Sequence, residues 1–208
     1  MKRLALVSVI ILVLGVAAVA TARLWDRASA QRTYISPDGT FQFSYPAWFS
    51  LTADSEHFQG WLCQDFIVCL QYPREMYKGS DFGPTEFWVD YPRQLLDVRG
   101  SAQRVTSRSD CLSFRTYTEP VSTTVINGVG FSTLSRDGVA AGTVSDVRFF
   151  RTFHKGKCYE LGTALSISAG GYVKEDYESG RVTHFTDADR KKVEAVLNDI
   201  VRTFRFLK

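Results

Sequence analysis

Three histidines, His57, His154 and His184, are the chain's only imidazoles, and they lie far apart in sequence. A serine-nucleophile site needs a hydroxyl, a base and an orienting acid within hydrogen-bond reach. Here it would have to be drawn from Ser166 or Ser168 with His154 and Asp146, and nothing marks either serine as strained or activated. His184 with Asp187 and Asp189 has the residue types of a metal site, but a helix start explains both acids. The run Lys174-Glu175-Asp176-Tyr177-Glu178 has too few oxygen ligands for calcium and lacks the loop glycine; it reads as a surface loop. No G-x-S-x-G, H-E-x-x-H, Walker loop, G-x-G-x-x-G or C-x-x-C occurs. No catalytic residue, metal or cofactor is therefore assigned. A hydrolase with a non-standard Ser/His constellation stays as the alternative to a non-catalytic binding or accessory role.

Four cysteines follow residue 30: Cys63, Cys69, Cys111 and Cys158. An even count in an exported chain points to two disulfides, with three pairings open. Phe58–Cys63 and Ile67–Tyr72 read as short strands around a tight reversal, favouring Cys63 with Cys69 and leaving Cys111 for Cys158. A zinc knuckle fits poorly, because five residues separate Cys63 from Cys69 and no histidine follows at ligand spacing.

Aromatic residues with polar edges crowd the irregular first half: Trp48, Trp61, Tyr72, Tyr77, Trp88 and Tyr91. They form a candidate binding surface, since such residues anchor interfaces. They also fill cores beneath long loops, which is the weightier reading, with one or two of them expected at the surface.

The compartment comes from the first thirty residues. Lys2 and Arg3 precede an apolar run, Leu4–Ala20, and a small-residue stretch ends at Ala28-Ser29-Ala30. This is the layout of a signal peptide. A run of 17 residues is about 26 Å of helix, so a transmembrane anchor over residues 4–22 remains open beside cleavage after Ala30. Either way residues 31–208 face outward as one extracytoplasmic domain, periplasmic or secreted. The chain has 25 Lys+Arg and 22 Asp+Glu, and the leader holds four of the former and one of the latter, which leaves 21 against 21. The basic character thus belongs to the leader, and no nucleic-acid partner is implied. The local clusters Arg99, Arg104, Arg108 and Arg190, Lys191, Lys192 read as solvated faces.

Several elements follow from pattern. Pro37-Asp38-Gly39 is a turn. Phe41, Phe43 and Tyr45 alternate as a half-buried strand ended by Pro46. Asp81–Asp97 is ambiguous between a strand through Val89 and a helix carrying Leu95 and Leu96. Residues 99–110 read as loop. Thr124–Ile126 leads into Asn127-Gly128, Gly130–Arg136 reads as a strand, and Asp137-Gly138 as a turn. Val147–His154, the Lys155-Gly156-Lys157 turn and Cys158–Ser168 form a hairpin, completing an antiparallel meander. Thr186 caps a closing helix whose Val193, Val196, Leu197, Ile200, Val201 and Phe204 make one apolar stripe.

Tyr34-x-x-Pro37-Asp38-Gly39-x-Phe41-x-Phe43-x-Tyr45-Pro46-x-Trp48 resembles the opening of PsbP-like domains. Ile126-Asn127-Gly128 with Phe149…Gly156…Tyr159-Glu160-Leu161 is similar to that family's central sheet. Ile200-Val201-x-Thr203-Phe204-x-Phe206 resembles its closing helix. The resemblance spans about residues 33–207, though the four cysteines are not part of the family's general pattern. It implies an α/β (α+β) fold, an antiparallel sheet flanked by helices as an α/β/α sandwich. It implies no catalytic centre, the best-known members acting by docking onto larger membrane assemblies. With the absence of catalytic motifs, the expected role is docking onto an envelope or membrane protein, or holding a small ligand, through the loop-rich first half.

Overall fold

The computed structural model describes residues 30–52, 66–91, 94–96, 102–105, 107–114, 119–140, 142–168 and 172–208. Residues 1–29, His57, Trp61 and Cys63 lie outside the described residues. Among the described residues no helix is long and apolar enough to cross a membrane.

Strands β1 (Gln31–Ile35) and β2 (Phe41–Pro46) form a hairpin over the Pro37-Asp38-Gly39 turn. Next come β3 (Ser50–Thr52), β4 (Val68–Gln71), a 3-10 turn at Arg74–Tyr77, β5 (Phe82–Asp90), β6 (Gln94–Leu96) and β7 (Ala102–Arg104). Helix α1 (Arg108–Leu112) precedes β8 (Ser122–Ile126), β9 (Val129–Ala140), β10 (Thr143–His154) and β11 (Lys157–Ser168). Helices α2 (Lys174–Glu178) and α3 (Asp187–Thr203) and the short β12 (Arg205–Phe206) complete the order.

Seven strands build one antiparallel sheet in the order β3-β4-β5-β11-β10-β9-β8, and β1-β2-β12 make a second. Alternation sends Tyr159, Leu161 and Leu165 of β11 to one face, where α3 and the small sheet pack. Val193, Leu197, Ile200 and Val201 of α3 are buried there, each contributing about 1.5–3 kcal/mol. The other face carries Cys69, Trp88 and Ala164 and is covered in part by α1, which the Cys111–Cys158 disulfide ties to β11. This is the expected α+β layering of an antiparallel sheet between helices.

Opposite Trp88 on β11 stands Gly162, and a Cβ there would lie 2.0 Å from the Trp88 ring. The indole fills the space a side chain would take, stacked on Phe66 at 5.2 Å and met edge-on by Phe149.

Several local expectations are corrected. Asp137-Gly138 is no turn: both residues lie inside β9, opposite Asp146 and Ser145. A long register between β9 and β10 outweighs the local turn signal, and the reversal falls at Gly142, whose φ is +76°. Within the stretch 99–110 read as loop, Ala102–Arg104 is strand β7, paired with β6, and residues 108–112 are helical, started by a capping box between Ser107 and Asp110. Leu95 and Leu96 belong to β6. The acidic run 174–178 is helix α2, in which Asp176 accepts from the Val173 N–H and pairs with Arg181. Position 69 faces Thr52 of β3 and Trp88 of β5. Cys69 is not a free thiol, and Cys63, the partner expected for it, lies outside the described residues.

Candidate functional site

The turn between β1 and β2 is fixed by one carboxylate. Asp38 Oδ1 accepts from Ser36 Oγ at 2.8 Å, Thr40 Oγ1 at 2.7 Å and the Thr40 N–H at 3.2 Å. Its Oδ2 accepts from Tyr91 OH at 3.2 Å. Partial burial works against ionisation, but these hydrogen bonds outweigh it and pull the carboxyl down to about 2. Burial pushes the Tyr91 phenol up.

Two other segments meet this turn. The Leu207 N–H donates to the Thr40 carbonyl at 2.8 Å, laying the chain after α3 along β2. Phe206 then stacks on His154 at 3.9 Å, with the rings within 7° of parallel. Tyr159 is edge-on to both Tyr91 and Phe206, at 4.8 and 4.7 Å. Lys157 brings its ammonium within 4.0 Å of Asp38 Oδ2 and 5.3 Å of the Tyr91 ring centre. The result is a cleft of about 360 Å³ between the turn, the β10–β11 hairpin and the last residues, with Lys155, Lys157 and Lys208 in its wall. Burial first, and the Lys155 charge second, hold the His154 pKa below its ordinary value. The cleft can take a charged ligand and offers apolar contact at Leu207, while Tyr159 lies buried beneath it.

The six aromatic candidates separate. Tyr72 and Trp88 are buried. Trp48 and Tyr77 are half-buried in a ring cluster with Phe49, Phe82 and Phe185. Tyr91 is half-buried and hydrogen-bonds the cleft's Asp38. Trp61 lies outside the described residues.

The serine constellation does not assemble. Ser166 is buried on the face away from α3, its Oγ 2.7 Å from Ser145 Oγ. Asp146 faces α3 and pairs with Arg190 at 2.8 Å. His154 lies eight residues along the same strand from Asp146, about 27 Å away.

His184 does not join Asp187 and Asp189. Its Nδ1 meets the buried Asp81 carboxylate at 3.1 Å, and its ring stacks on Tyr177 at 4.0 Å. Asp81 also accepts from the Phe185 N–H, while its backbone bridges Ser168 and Thr183, so one residue joins β5, β11 and the approach to α3. The Asp189 carboxylate instead accepts from the hydroxyl of the helix cap Thr186, to which the Asp189 N–H donates in return, and pairs with Lys192.

Two buried charged sites complete the picture. Arg151 and Glu160 pair at 2.6 Å beneath α1, with Phe114 under the guanidinium. Glu86 is buried; among the described residues the Gln71 amide meets its Oε1 and no hydrogen-bond partner meets its Oε2. Desolvation raises its pKa.

No family model matches the sequence, and no curated protein does. Among solved structures, LpqN of Mycobacterium tuberculosis, described as involved in cell envelope biogenesis, aligns at a TM-score of 0.46 and 9% identity over 86% of this chain and 91% of its own. A Bacteroides thetaiotaomicron protein aligns at 0.43 and 11% over 85% of this chain, which spans 48% of that protein's length. The yeast Ran-binding protein Mog1p aligns at 0.38 and 12%, over 85% of this chain and 95% of its own.

Proposed function

We propose that this chain is an extracytoplasmic, non-catalytic binding module of PsbP-like type. Residues 1–30 export it or hold it at the membrane, and the module docks onto an envelope protein or holds a small ligand. One observation carries the reading: the cleft beside Asp38, where three sequence-distant segments are locked together around a basic recess. A hydrogen-bonded turn and charged walls, held from beneath by buried aromatic rings, form a prearranged surface, which lowers the ordering cost of binding. The Cys111–Cys158 bridge fits an oxidising compartment.

The test is native mass spectrometry of the protein gently extracted from its host's membranes, beside a variant carrying Lys155→Glu and Lys157→Glu. A bound partner or ligand is expected with the wild type and absent from the variant. Turnover of a substrate by the purified protein, lost on His184→Gln, would overturn the reading in favour of a hydrolase.

A further inference from the structure

We propose that the cleft takes a small organic anion, a carboxylate or a phosphate ester. Its charged end sits among Lys155, Lys157 and Lys208, and its apolar part lies against Leu207. This rests on the binding-module reading and names the ligand class for the same site.

The first argument is charge. Three lysines line the cleft with one acidic side chain, Asp38, whose carboxylate already accepts four hydrogen bonds. Lys157 reaches it only at 4.0 Å, and Lys155 and Lys208 have no ion-pair partner among the described residues. Outside the cleft, Lys174 pairs with Glu178 and Lys192 with Asp189, while Lys78 and Lys191 have no ion-pair partner among the described residues. Unmatched like charges in a recess with apolar walls focus a positive potential and concentrate anions there.

The second argument is backbone strain. Lys155 has φ +46°, the left-handed region, at the first position of a two-residue hairpin turn. Asparagine, aspartate and glycine suit that position; a lysine there costs about 1 kcal/mol. Strain of this kind collects where a side chain must be presented, and here it presents an ammonium at the mouth of the cleft.

The third argument is size. A volume of about 360 Å³ lies at the lower end of small-molecule pockets, roughly 300–1,000 Å³. His154 also lines the cleft, and an imidazole carries a ring N–H that can donate to an oxyanion.

The experiment is isothermal titration of the purified full chain with citrate, with inorganic phosphate, and with vesicles containing phosphatidylglycerol. Citrate or phosphate binding is expected, weakening as salt rises. Lys155→Asn and Lys157→Gln should each weaken it about tenfold, while Lys192→Gln leaves it unchanged. Lys155→Asn should melt no lower than the wild type, which separates lost binding from lost folding. Binding to the vesicles alone, lost with the same lysines, assigns the same oxyanion chemistry to a lipid headgroup. Uptake of no probe, or affinity unchanged in the double variant Lys155→Asn, Lys157→Gln, overturns the proposal. If a host partner still co-purifies and is lost on charge reversal, only the ligand class has failed. A bare chain that takes up no probe overturns the binding reading as well.

Discussion

The β8–β9 and β10–β11 hairpins turn through nearly the same backbone. Asn127-Gly128 has φ +48° and +80°, and Lys155-Gly156 has +46° and +79°. Asn127 suits that conformation, and its amide donates to the Arg202 and Phe204 carbonyls at 2.8 Å each, closing the end of α3. Lys155 does not suit it, is exposed, and has no ion-pair partner among the described residues. One turn residue serves the fold; the other is held against its preference and faces a cleft. Where local preference and observed residue agree, the contacts explain the choice. Where they disagree, the explanation has to come from outside the turn.

The largest expected effect is on the base of the Lys155 hairpin. Replacing Cys111 and Cys158 with serine opens a bridge across 47 residues and should cost about 4 kcal/mol in the chain-entropy picture. Amide exchange should accelerate more in the β10–β11 turn, next to Cys158, than in the β8–β9 turn. Equal acceleration would erase the distinction between the two hairpins. Asn127→Ala comes next. It removes two hydrogen bonds and an amino acid tolerant of positive φ, for about 2–3 kcal/mol in urea unfolding. A smaller gain of about 1 kcal/mol is expected from Lys155→Asn, which gives the second turn the first turn's chemistry; a loss would break the comparison.

The smallest effect is a titration. The His154 pKa should sit below about 6.5 by NMR and move toward it in Lys155→Asn, because one of its two depressing causes is removed. The folded state then binds fewer protons than the unfolded chain between the depressed value and the ordinary one. In that window this group's contribution makes stability rise with pH, and it falls away as pH drops through it. A His154 pKa unmoved by the substitution would deny Lys155 any field at the cleft.

Much of the scaffold was legible because its periodicity is local. The stripe Val193, Leu197, Ile200, Val201 repeats at helical spacing, and Tyr159, Leu161, Leu165 alternate as a strand must. Asp137-Gly138 misled because a dipeptide signal carries no information about the strand opposite. Ser107-x-x-Asp110 was a cap signature inside a stretch read as loop. The cleft was harder still. Pro37-Asp38-Gly39 and Lys155-Gly156 were each recognisable as turns, but their meeting depends on Tyr91, β12 and the Leu207 hydrogen bond. None of these is encoded near either turn. The available signal was the lysine itself, standing where the turn type asks for asparagine or glycine.

The indole of Trp88 occupies the volume that a side chain at position 162 would need. Across related chains these two positions are therefore not free to drift separately. A residue with a Cβ at 162 requires a smaller partner at 88, and while the tryptophan stays the glycine must stay. The two positions, 74 residues apart in the chain and opposite each other on two central strands, thus behave as a single unit of variation.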